Sequence, residues 1–153
     1  MNELTLGMQA PNFELPGSDD LTHNLSDYIG KKVILYFYPK DNTSGCTKEA
    51  IAFKEVVNKL SEHNSVVIGI SRDSIASHKK FIEKNDLNFL LLSDKEEVAC
   101  NLYNVIKEKT VCGKKCMGIE RSTFIIDPEG NIKNIFRKVK VPGHVDAVLC
   151  EID

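Results

Sequence analysis

The sequence predicts an α/β protein, a three-layer α/β/α sandwich around a central mixed sheet. Short continuous apolar runs (VILYFY from Val33, VVIGI from Val66, FLLL from Phe89) alternate with segments of helical periodicity, the signature of strands buried on both faces. An alternating pair of runs around Pro128-Glu129-Gly130-Asn131 reads as a hairpin, and a last amphipathic segment closes the chain. At 153 residues the length suits one core, and no repeat, low-complexity segment or linker divides it, so residues 1–153 are read as one domain.

In chain order, the first strand spans Val33 to Tyr38 and Pro39 ends it. From Cys46 the residues Cys46, Ala50, Phe53, Val57 and Leu60 recur at spacings of four and three, which predicts one helix to about His63 with Cys46 at the head of its apolar stripe. Val66 to Ile70 is a second strand. Asp73 or Ser74 caps the next helix, whose Ile75, Phe81 and Ile82 face the core. Phe89 to Leu92 is a third strand, followed by a helix over about Lys95 to Tyr103. Ser122 to Phe136 forms the hairpin, and His144 to Ile152 the last helix. This order is that of a thioredoxin-like fold, and also of other small sandwiches.

A composition of 42% apolar and 27% charged residues with a net charge of -2 is that of a soluble globular protein, and offers nothing to attract nucleic acid or an anionic membrane. No apolar run approaches membrane-spanning length, and MNELTLGMQAPNFEL lacks the basic start and apolar centre of an export signal. These features predict a cytoplasmic protein. The five cysteines, Cys46, Cys100, Cys112, Cys116 and Cys150, are an odd count that argues for reduced thiols rather than a disulfide framework.

Cys46 stands at the first turn of its helix, where backbone N–H groups without intrahelical partners and the positive end of the dipole suit negative charge on sulfur. Gly45 leaves the backbone beside the sulfur uncovered, Pro39 fixes the loop entry, and the Thr43 hydroxyl both donates and accepts. The three positions Pro39, Thr43 and Cys46 describe a preorganised pocket floor. On spacing alone, a cysteine in an apolar stripe also reads as core filling, Thr43 as a cap and Pro39 as a strand terminator.

The segment YFYPKDNTSGCTKEA resembles the active-site segment of the peroxiredoxins, with their Pro-x-x-x-Thr-x-x-Cys pattern at Pro39, Thr43 and Cys46, and in particular that of the PrxQ, or bacterioferritin-comigratory-protein, subfamily. GMQAPNFELP, VIGISRDS, MGIERSTFIIDPEGNI and the segment around Gly143 and His144 resemble the same subfamily in the same order, so the resemblance spans nearly the whole chain. It implies a thiol peroxidase on a thioredoxin-like fold, in which the Cys46 thiolate attacks hydrogen peroxide or an organic hydroperoxide and becomes a sulfenic acid. Arg121 matches the arginine that stabilises the thiolate and orients the peroxide. Thr43 is expected to hydrogen-bond peroxide and sulfur, Pro39 to shield the site from water, and Glu49 to orient Arg121, with a solvated surface carboxylate as the alternative for Glu49. The resemblance also implies thioredoxin or a similar thiol as reductant and no metal, haem or flavin cofactor. It leans to a monomer, with a dimer as the alternative.

The chain departs from this subfamily at the second thiol. Many members carry a resolving cysteine five residues after the first, where this chain has Ile51, and others carry it in the following helix, where this chain has none. Either an external thiol serves, or another cysteine does. Cys112 and Cys116, in a Gly- and Lys-rich loop shortly before Arg121, are the leading candidates, provided that loop or the first helix turn moves to bring the Cα atoms within about 7 Å. Cys100, at the polar border of its helix, is a weaker one, and Cys150 reads as core or surface. A thioredoxin-type dithiol oxidoreductase is the nearest rival, but Thr47 to Ile51 supplies no second thiol; a zinc site from Cys112, Cys116, His144 and Cys150 is the rival of another class. A cysteine hydrolase needs a histidine partner, and His23, His63, His78 and His144 belong to no such motif.

Overall fold

The computed structural model describes residues 4–152. Strands β1 (Glu14–Pro16) and β2 (Thr22–Asn24) form a small antiparallel ladder, and a 3-10 turn at Leu25–Tyr28 leads into β3 (Lys32–Phe37). Helices α1 (Ser44–Lys54) and α2 (Val57–Glu62) follow, then β4 (Ser65–Ser71), α3 (Ile75–Asn85), β5 (Leu90–Ser93) and α4 (Val98–Leu102). The chain ends with β6 (Ile106–Val111), β7 (Lys114–Ile119), β8 (Ser122–Ile126), β9 (Ile132–Phe136) and α5 (His144–Cys150).

The central sheet has the order β5-β4-β3-β8-β9, parallel among β3, β4 and β5 and antiparallel from β3 through β8 to β9. Alternation along β3 sends Val33, Leu35 and Phe37 to one core, shared with Ala99, Cys100 and Tyr103 around α4, and Ile34, Tyr36 and Tyr38 to the other, shared with Ala50, Phe53, Leu60, Phe81 and Val148 from α1, α2, α3 and α5. The three layers and the mixed sheet are those expected from the sequence.

Three elements differ from expectation. The helix drawn to His63 is interrupted at Glu55 and Val56, where Val56 N–H bonds to Phe53 O three residues back; this tighter step lets Val56 and Val57 both pack on the core that Leu60 joins. The helix expected from Lys95 begins at Val98, because the buried Asp94 carboxylate accepts the amides of Val98 and Cys100 and the intervening residues turn, Glu97 at φ 58°. The loop expected around Cys112 and Cys116 is a β-hairpin. Cys112 and Gly113 both hold positive φ, 52° and 80°, as a two-residue turn matched to strand twist requires, and β6 and β7 pair from Val111↔Lys114 to Ile106↔Ile119.

Candidate active site

Cys46 sits in the first turn of α1, with Thr43 as N-cap residue in extended conformation. In the β3–β8 register Phe37 pairs with Ser122, so Arg121 enters just before β8 beside the end of β3, where the loop to α1 starts. Two pieces of chain 75 residues apart therefore meet, and Arg121 Nη2 donates to Cys46 Sγ at 3.4 Å. Arg121 Nη1 donates to Glu49 Oε1 at 2.7 Å. Glu49 follows Cys46 by one helical turn and points inward with it, so one guanidinium spans both side chains of that turn.

Glu49 is not the solvated surface carboxylate weighed as an alternative: its side chain is fully buried. Burial pushes its carboxyl up to about 7, with the charge and hydrogen bond of Arg121 opposing the rise. Burial works against the Arg121 charge, but Glu49 and Cys46 outweigh it and hold the guanidinium above its usual range. The raised Glu49 carboxyl is a weaker counter-charge to Arg121 than an ordinary glutamate, and Arg121 keeps its positive charge facing the sulfur. Glu49 Oε2 and the Tyr36 hydroxyl are both buried without a hydrogen-bond partner among the described residues.

An ordinary glutamate titrates near 4.5 and this one near 7, so the folded state binds the proton more tightly. The stability it contributes is complete below the lower value and is lost as pH rises through the higher one. The wild-type melting temperature is expected to fall relative to that of Glu49→Gln between about pH 5 and about pH 8, since glutamine does not titrate; parallel melting curves across that range would count against the burial argument.

Gly45 makes room for the guanidinium. A Cβ there would lie 3.2 Å from Arg121 Nη2, so Gly45→Ala displaces Arg121 by a few tenths of an ångström. The expected result is a loss of about threefold to tenfold in peroxide kcat/KM with little change in melting temperature, measured by steady-state peroxide consumption.

The other sequence candidates fall as follows. The exposed Thr43 donates its hydroxyl to Lys40 O at 2.9 Å and keeps its oxygen lone pairs for an incoming donor. Pro39 is half-buried at the loop entry. Cys46 itself is buried at 2% exposure. Cys100 is fully buried rather than at a polar border, and burial together with Asp94 pushes its thiol far up. Cys112, Cys116 and Cys150 are exposed. His144 is held down to about 4 by burial and by Arg121, and its Nε2 hydrogen-bonds Thr123 Oγ1 at 2.7 Å rather than facing Cys46. The zinc set of the rival reading is not gathered: among the described residues no group of three or more His, Cys, Asp or Glu side chains is placed to hold a metal.

Lys109 was missed by sequence reasoning. It pairs with Cys116 across the hairpin and its ammonium donates to Ile119 O. It is held below the usual lysine range by burial and by Arg121, with Cys46 and Cys116 opposing, so the hairpin lies within the electrostatic reach of the site.

The model of the AhpC/TSA family matches residues 6–135 of this chain. The chain belongs to the AhpC/TSA family. It is similar to peroxiredoxin Bcp of Bacillus subtilis, 49% identical over 95% of this chain and 93% of that protein. Among solved structures, a Cys-to-Ser mutant of Xylella fastidiosa PrxQ superposes with a TM-score of 0.93 at 39% identity, covering 99% of this chain and 97% of that one. Xanthomonas campestris bacterioferritin comigratory protein, described for its alkyl peroxide reduction, gives 0.87 at 41% identity over 92% and 89% of the two chains. As a peroxiredoxin of the Bcp/PrxQ kind, this AhpC/TSA protein is a thiol-dependent peroxidase with a thioredoxin-like fold. Its family implies a peroxide substrate and a thiol reductant. Among the described residues no helix is long and apolar enough to cross a membrane.

Proposed function

We propose that this peroxiredoxin reduces hydrogen peroxide and organic hydroperoxides through Cys46. The observation that carries the reading is Arg121 Nη2 at 3.4 Å from Cys46 Sγ, at the N-terminal turn of a helix. The thiolate donates an electron pair to the terminal peroxide oxygen, the O–O bond breaks, and the second oxygen leaves as hydroxide or alkoxide and takes up a proton. Cys46 is left as a sulfenic acid. Arg121 offers its N–H groups where negative charge develops, Thr43 supplies a hydroxyl to the peroxide, and Pro39 limits water at the loop.

A second thiol then attacks the sulfenic sulfur, releasing water and forming a disulfide that an external dithiol reduces. Cys112 or Cys116 fills that role in this reading, and the pairing of Lys109 with Cys116 across the hairpin, with the charges of Arg121 and Cys46 both felt at Lys109, favours Cys116. The resemblance supports thioredoxin or a comparable dithiol as donor, and a single-domain, cytosolic monomer as the working unit. Peptide mapping by mass spectrometry after one equivalent of peroxide tests both parts. Oxidation confined to Cys46, with a Cys46–Cys116 or Cys46–Cys112 linkage, is the expected result. A persistent sulfenic acid, or intermolecular bridges alone, would reject the internal partner, and oxidation at another sulfur would reject the assignment of Cys46.

A further inference from the structure

A second polar cluster lies behind the site, and the chemistry above makes no use of it. Asp41, five residues before Cys46, is buried; its Oδ1 accepts from the Tyr38 hydroxyl at 2.6 Å and its Oδ2 from Ser77 Oγ at 2.8 Å. The same Oδ2 lies 2.7 Å from His78 Nδ1, and His78 Nε2 lies 2.9 Å from the carbonyl oxygen of Leu92 in β5. The two side chains are shut off from solvent, at 0% exposure for His78 and 1% for Asp41.

A carbonyl oxygen only accepts, so Nε2 carries a hydrogen and donates it to Leu92. On the other side Nδ1 and Asp41 Oδ2 share a hydrogen bond, and Tyr38 and Ser77 donate to the same carboxyl group. The imidazole thus bridges Asp41 and the Leu92 carbonyl inside the core. The Tyr38 hydroxyl, 3.5 Å from Nδ1, and Asp73, which accepts the Asp41 amide at 2.9 Å and Ser71 Oγ at 2.7 Å, complete the polar surroundings. Burial, followed by Tyr36 and Asp41, holds the Tyr38 phenol well above its usual range, so it remains a donor.

A buried polar pair is a poor way to gain stability, because taking the groups out of water consumes most of what their hydrogen bonds return. Its position suggests what it does instead. Asp41 lies between Pro39 and Thr43, and the next residue, Asn42, turns the chain at a left-handed φ of 63°, which asparagine tolerates. The Thr43 hydroxyl donates to Lys40 O on one side of Asp41, and Thr43 O accepts the amide of Thr47 in α1 on the other. The hydrogen-bonded pair thus ties the turn that sets Thr43 and the first turn of α1 to α3 and β5. We propose that His78 is a positioning residue for peroxide reduction, its imidazole holding Asp41 by a hydrogen bond and, through Asp41, the turn that places Thr43 and Cys46. This rests on Cys46 being the attacking sulfur.

Two substitutions divide the imidazole's work. An asparagine amide nitrogen can take the place of Nδ1 and keep the bond to Asp41, whereas a glutamine amide nitrogen takes the place of Nε2 and keeps only the bond to Leu92 O. The second-order rate constant for Cys46 oxidation by hydrogen peroxide is expected to fall at least about tenfold in His78→Gln and to stay within about threefold of wild type in His78→Asn. A rate in His78→Gln within about threefold of wild type, or a loss in His78→Asn as large as that in His78→Gln, overturns the proposal. Should a variant not fold, NMR of the wild-type imidazole decides: a proton held in the His78–Asp41 hydrogen bond and protected from solvent exchange is expected, and rapid exchange with water overturns it. Peptide mapping of the same oxidised samples keeps the two readings apart. Oxidation at another cysteine defeats the assignment of Cys46, whereas an unchanged rate with oxidation still at Cys46 defeats the role of His78 alone.

Discussion

Cys46→Ser is expected to lower peroxide turnover by about three orders of magnitude or more while leaving the fold in place. A serine hydroxyl is almost never ionised near neutral pH, so Arg121 and the α1 N-terminus have no anion to present to the peroxide, and no disulfide can form at the position. The substitution exchanges one small buried atom for another in a core that also contains Ala50, Phe53 and Val145, so the packing change is slight. Peroxide consumption with a thiol donor gives the first quantity and thermal unfolding the second. Turnover near the wild-type rate would overturn the assignment of Cys46.

Replacing Arg121 with methionine is expected to reduce kcat/KM for peroxide by about a hundredfold to a thousandfold, the usual consequence of losing a donor aimed at developing charge. Both contacts of the guanidinium vanish together, the one to Cys46 Sγ at 3.4 Å and the one to Glu49 Oε1 at 2.7 Å. Glu49, which burial already pushes up to about 7, then lacks its opposing cation and is expected to stay protonated to higher pH, so the variant should lose less stability than an orphaned carboxylate would suggest. Arg121→Lys is expected to recover only part of the rate, because one ammonium point charge does not reproduce two N–H groups fixed toward different partners. Stopped-flow oxidation at several pH values separates these outcomes, and a lysine variant as fast as wild type would show that charge alone suffices.

The strand Val33 to Tyr38 and the cysteine at the head of the next helix were legible because each is a local pattern: an unbroken apolar run, a proline after it, and a stripe with period near 3.6. The hairpin holding Cys112 and Cys116 was also written locally, in the alternation of IKEKTV and KKCMGI about Cys112-Gly113, but its lysines and glycines gave the segment the look of a loop. His78 carried a faint signal as well. It falls between Ile75, Phe81 and Ile82 on the apolar side of α3, where a histidine needs buried partners, yet nothing near it in sequence announces Asp41.

By itself, the sequence determined the α/β architecture, the helix that begins at the Thr43-Ser44-Gly45-Cys46 turn, and the family resemblance carried by that turn. The tertiary structure decided which groups act together. Between orienting Arg121 and lying solvated at the surface, the choice for Glu49 waits until Arg121, 72 residues away, is brought to it, and Asp41 finds His78 across 37 residues. Periodicity and capping depend on neighbours within a few positions, whereas the charge on a buried carboxylate depends on the cation the sheet register sets against it. That register, Phe37 opposite Ser122, exists only once β3 and β8 have paired.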